Sequence, residues 1–146
     1  MAQGASSGKA ERSGAAATLL PVALGGALGA CARHLLGLAT IALWPEAGLP
    51  IGTFAANALG SFLIGVVAAL MLRDGQFGAT PARRQFLVAG FCGGFTTFSI
   101  FSFELLYFIE TGAFALAGGH LLLSLIVWLG AVALGMRLGR RIRSRS

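Results

Sequence analysis

Four apolar stretches, over 18–43, 52–72, 86–110 and 113–136, follow one another with little sequence between them. Each meets the roughly 20 residues that cross about 30 Å of hydrocarbon at 1.5 Å per residue. In lipid, every backbone N–H and C=O must find a partner within the protein, which leaves helices or a closed barrel. Stretches of this length and continuity are helices. The chain therefore reads as an all-α integral membrane protein, with four transmembrane helices in one domain over 18–140. Composition agrees: 11% of the 146 residues are charged and 56% are hydrophobic, whereas a water-soluble domain is about 25% charged.

The ends are predicted to be tails. Residues 1–17 (MAQGASSGKAERSGAAA) are small or charged and bury nothing, so disorder is expected there. They do not form a secretory signal, because their small-residue run precedes the apolar stretch instead of following it. Residues 141–146 close the chain as a basic tail, suited to anionic lipid headgroups beside a membrane span and not to nucleic acid. Loop charges give the orientation. Lys9 and Arg12, then Arg73, Arg83 and Arg84, then Arg137, Arg140, Arg141, Arg143 and Arg145 all belong to one side, while the first and third loops hold no Lys or Arg. The positive-inside rule puts both termini in the cytoplasm.

Polar stripes run along these helices where apolar residues would be cheaper. In helix 1, Gly25, Gly29, Arg33 and Gly37 recur every four residues. Close helix packing accounts for the glycines. It does not account for Arg33, since a charge at depth costs roughly 2.5–3.5 kcal/mol on insertion scales. Arg33 snorkels, lines an aqueous vestibule or pairs with an acid. In helix 2, Thr53, Asn57, Ser61 and Gly65 form a second stripe beside Gly52, Ala56 and Gly60. Asn57 either joins helices, at about 0.6 kcal/mol per contact, or offers its two amide N–H donors to an anion.

Helix 3 carries GFCGGFTTFSIFSFE (90–104). Two glycines followed by Thr96 and Thr97 mark an expected break near 93–96, tolerated in a membrane only inside protein or facing water. Carbonyls freed there suit a small cation, and the restarted helix presents N–H groups and its positive dipole end. Phe98 and Phe101 share a face beyond the break. Core packing is the ordinary reading of such a pair, but an aromatic ring is electropositive at its edge. A ring edge can meet an anion weakly enough to let it go, as conduction requires. Glu104, the most deeply placed acid, is expected to be available to Arg33. Helix 4 adds His120, Ser124 and Trp128 at spacing four, with Ser124 as the candidate pore hydroxyl and Trp128 suited to packing. Cys31 and Cys92 are read as small buried hydrophobes, implying neither a disulfide nor a metal.

With GGALGACAR (25–33) and GTFAANALGSFLIG (52–65), the helix 3 string resembles the signatures of the Fluc (CrcB) fluoride channel family over about 19–140. The resemblance implies an antiparallel, dual-topology dimer of four-helix subunits in the bacterial inner membrane. Such a dimer has two fluoride pores and one structural Na+ on its axis. It implies pore roles for Asn57, Thr97, Phe98, Phe101 and Ser124, vestibule roles for Arg33 and Glu104, and main-chain Na+ ligands at Gly93 and Thr96. Fluoride would leave the cytoplasm passively, keeping its concentration below toxic levels. The one-sided charge of the loops leaves two partners open, a second copy or an oppositely inserted homologue. Trp128 and His120 depart from the resemblance, standing where the family often has a small hydroxyl and an aromatic hydroxyl.

The rival reading is a proton-coupled small multidrug-type exporter, which needs an intramembrane carboxylate. Glu104 is the only candidate. A purely structural membrane protein would have no use for Asn57 or for a broken helix. No enzyme motif is present: there is no H-E-x-x-H, no G-x-S-x-G and no phosphate-binding glycine loop.

Overall fold

The computed structural model describes the backbone of residues 3–71 and 80–144, with side chains from residue 17 onward. Arg73 and Arg145 lie outside the described residues. Among those described there is no strand. Four helical segments are long and apolar enough to cross a membrane: Ala17–Leu43, Ile51–Met71, Pro81–Glu110 and Phe114–Arg143. The first belongs to helix α1 (Gln3–Leu43) and the second is α2 (Ile51–Met71). The third is composite. It starts as α3 (Pro81–Arg84), widens into a π-helix (Gln85–Cys92), continues as α4 (Gly93–Phe95), and restarts as α5 (Phe98–Glu110). The fourth is α6 (Phe114–Arg143).

Two boundaries differ from expectation. The backbone of α1 runs back to Gln3, through the segment expected to be a disordered tail. An alanine-rich stretch next to a formed helix can extend it without a new nucleation cost. Helix α6 runs past its apolar stretch to Arg143 and carries Arg140, Arg141 and Arg143 in its last turn. Cations there oppose the negative end of the helix dipole, and the Arg143 guanidinium donates to Ala69 O at 3.0 Å.

The four spans pack as two parallel pairs. In one, α2 lies along α6 in the most extensive contact of the fold. A Cβ on Gly135 would strike the Phe62 carbonyl oxygen, and one on Gly65 would strike that of Val132, so backbone meets backbone without side chains between. In the other, α1 lies along the π-helix and α4. There Gly25, Gly29 and Gly94 touch the opposing main chain in the same way, Gly94 against Gly26 O. Between helices in lipid, van der Waals contact and hydrogen bonds drive association, and small residues maximise the first.

The position of the break needs correcting. Gly93 and Gly94 stay helical, and the missing side chain of Gly94 serves the contact with α1. The chain leaves helical geometry at Thr96 (φ −85°, ψ 159°) and Thr97 (φ −148°, ψ 121°). Threonine hydroxyls explain the choice. Thr96 Oγ1 donates to Cys92 O at 2.9 Å, closing the outgoing helix, and Thr97 Oγ1 accepts from Ile100 N at 3.3 Å as the cap of α5. A cap of this kind contributes about 0.5–2 kcal/mol.

Candidate functional site

Asn57 builds the site around that break. It is buried on α2, and its side chain reads both polar groups of Thr97. Thr97 N donates to Asn57 Oδ1 at 2.7 Å, and Asn57 Nδ2 donates to Thr97 O at 2.9 Å. The extended residue is thus held in two directions by one amide. One N–H of Asn57 is spent on this latch and one remains to face a ligand, where the sequence suggested two.

The latch also fixes which carbonyls are released. In a continuous helix the Thr97 N–H would point at Gly93 O, and the Ile100 N–H at Thr96 O. Here the first goes to Asn57 and the second to the Thr97 hydroxyl. Gly94 O, which would have met Phe98 N, accepts instead from Arg33 Nε at 3.2 Å. Arg33 therefore serves a main-chain carbonyl at the break and does not pair with Glu104. The two still face one cavity of about 470 Å3, which is also lined by His34, Thr40, Thr53 and Thr97.

Glu104 has other neighbours. Thr53 Oγ1 donates to its Oε1, and its Oε2 lies 3.5 Å from His120 Nε2. Glu104 Oε2, His120 Nε2 and Ser124 Oγ are buried with no hydrogen-bond partner. Three such atoms together are unusual, because leaving one buried polar group unsatisfied costs about 1–3 kcal/mol.

The two phenylalanines part company. Phe98 and Phe101 keep their rings 6.0 Å apart, yet Phe98 is 75% exposed and Phe101 only 2%. Phe101 packs on the His120 ring at 5.1 Å and edge-on to Trp128 at 4.8 Å. Trp128 Nε1 donates to Phe54 O at 3.4 Å, tying α6 to α2 as a packing residue. His120 was given no role from sequence, although it falls on one stripe with Ser124. Cys92 is buried and Cys31 is exposed, against the expectation that both are buried; neither is in a disulfide.

Fold and site together define a multi-pass membrane protein whose third span is interrupted at membrane depth, with unspent polar groups gathered beside the interruption. The family described as "CrcB-like protein, Camphor Resistance (CrcB)" matches residues 20–136. A "Fluoride-specific ion channel FluC" of Agrobacterium fabrum is 43% identical over 121 residues, covering 83% of this chain and 94% of that protein. Proteins with the same name from Nitrobacter winogradskyi and Gluconobacter oxydans are 41% and 43% identical, over 85% and 81% of this chain and 96% and 81% of their own lengths. The chain belongs to the CrcB family.

Proposed function

We propose that this chain is the subunit of a fluoride-selective channel of the bacterial inner membrane, through which fluoride leaves the cytoplasm passively. The observation that carries the proposal is the latched break. Around it stand a free amide N–H of Asn57, the ring edges of Phe98 and Phe101, and the unpartnered hydroxyl of Ser124. These are weak, neutral anion partners in a low-dielectric setting, and weakness is what allows an ion to move on. The relatives described above, each a "Fluoride-specific ion channel FluC", supply the ion.

The active unit is an antiparallel dimer. Phe98 is largely exposed in the single chain, so a pore wall made from it needs a second surface opposite. Gly93 O and Thr96 O, whose helical donors turn instead to Asn57 and to the Thr97 hydroxyl, fit a hard cation such as Na+. Two oxygens per chain leave its coordination incomplete, and a second subunit supplies the rest. A cation held by these oxygens would offset their partial negative charge at the junction of the subunits. A second copy of this chain is the partner in this reading; an oppositely inserted homologue is the other partner the loop charges allow. The basic end of α6 rests on anionic headgroups.

The test is fluoride efflux from liposomes containing the purified protein, recorded with and without an imposed proton gradient. Passive efflux in both conditions is expected. Efflux that requires the gradient would instead make this a proton-coupled exporter using Glu104.

A further inference from the structure

Three buried polar atoms on α5 and α6 have no hydrogen-bond partner: Glu104 Oε2, His120 Nε2 and, one turn beyond His120, Ser124 Oγ. The first two are 3.5 Å apart. The His120 side chain is 4% exposed and that of Glu104 is 15% exposed, and Ser124 is fully buried. The other Glu104 oxygen is occupied by Thr53, so the carboxylate is oriented with its free oxygen toward the imidazole. Phe101 and Phe108 flank the ring at 5.1 and 6.0 Å.

We propose that Glu104 and His120 form a proton-binding dyad, and that the proton it takes up raises fluoride throughput. This rests on the channel reading above. With a neutral imidazole and an ionised carboxylate the pair carries one negative charge beside Ser124, and that charge repels an anion. One proton from water makes the pair neutral overall, whether it resides on nitrogen or on oxygen, and fills the gap between Nε2 and Oε2 with a hydrogen bond. Two groups this close titrate as a unit. The proton arrives through the cavity that Glu104 lines. A lone carboxylate at this site would lack the second half of the device, which is why His120 is its distinguishing residue.

Other charges facing the dyad are few. From α1, Arg33 and His34 line the same cavity as Glu104, and Arg33 is engaged with Gly94 O. From α2 the facing polar group is the neutral Thr53, and from α6 they are Ser124 and Trp128. Among the described groups packed on the pair, His34 is thus the only other one whose charge ordinarily changes between about pH 5 and 8.

The experiment measures fluoride flux in liposomes with equal pH on both sides, stepped from about 8 to about 5.5, across the range where imidazole ordinarily titrates. Protein-free vesicles at each pH remove the leak of hydrogen fluoride. Wild-type flux is expected to rise by about threefold or more, as expected for removing one charge near the path. His120→Asn is expected to flatten the profile, while His34→Asn keeps the rise. A wild type that conducts fluoride with a flat profile, or a His120→Asn variant that keeps the rise, overturns the dyad. The chain has 2 histidines, so His34→Asn also leaves one imidazole for 15N NMR in nanodiscs. Its titration is expected to move in Glu104→Gln, and an unmoved titration overturns the dyad whatever the flux. If no fluoride passes at any pH, the channel reading falls, and the NMR result still decides the dyad.

Discussion

Helices α2 and α6 make the most extensive contact of the fold, but the two ends of that contact are built differently. Toward Gly65, Gly135 and Gly139 the backbones touch directly, and Arg143 donates to Ala69 O across the same end. Toward Asn57, His120 and Ser124 the same pair encloses donors and acceptors, some without partners. One end spends its contacts on holding the helices together. The other keeps polar groups in reserve at a cost in stability, as sites that must bind something do. A single helix pair thus separates anchoring from function along its axis.

The largest effect should come from breaking the anchored end. Gly135→Val drives methyl groups into the Phe62 carbonyl oxygen and toward Val66 N, backbone atoms that cannot step aside. Overpacking costs about 1–3 kcal/mol even where side chains can yield. Yield and a single symmetric peak in gel filtration should both be lost. A monodisperse variant with wild-type thermal stability would show that this end is looser than its geometry implies.

Next comes the polar end. Asn57→Asp removes the donor to Thr97 O and adds a negative charge where an anion passes. Flux should fall by at least about tenfold, the effect of only about 1.4 kcal/mol. The helix pair should still assemble, because the glycine end is untouched. If flux is normal, Asn57 belongs with the anchor.

Phe98→Ile and Phe101→Ile sharpen the contrast within one motif. Both should reduce flux several-fold, by removing ring edges from the path. Only Phe101→Ile should also lower thermal stability, since it alone packs on His120 and Trp128. Equal stability loss in the two variants would remove the distinction between an exposed ring and a buried one.

The smallest effect is expected at Thr96→Ser. Serine keeps the hydroxyl that bonds Cys92 O and the main-chain oxygen proposed for Na+, and loses only the methyl that touches Gly60. About 0.8 kcal/mol and little activity should go with that methyl. Replacing Na+ with N-methylglucamine during purification should do more, loosening the dimer or reducing flux. If the serine variant proves worse than the cation exchange, the side chain matters at this position and the main-chain site does not.

How far the sequence could be read varied with the physics behind each feature. The four spans were legible because hydrocarbon imposes a length and a composition that no neighbour can alter. The glycine stripe of helix 1 announced close packing. The break was visible to within a residue or two, expected near 93–96 from two glycines followed by Thr96 and Thr97. The glycines stayed helical, and the two capping threonines made the turn. The π-helix over Gln85–Cys92 left no signal in the sequence reading, since a changed bonding pattern requires no particular residue type.

What the sequence determined by itself was therefore the membrane, the number of crossings, the one-sided charge and the set of polar residues that lipid alone would not tolerate. Each follows from solvation, which acts on every residue according to its own chemistry. Partners were decided only by the tertiary structure. Arg33 met the Gly94 carbonyl instead of Glu104, Glu104 met Thr53 and His120, and Asn57 took hold of Thr97. Those pairings join residues between 16 and 61 positions apart, and depend on which helix faces which and at what register. Hydrogen bonds act over about 3 Å, so a shift of one turn between packed helices would have chosen different partners from the same residues.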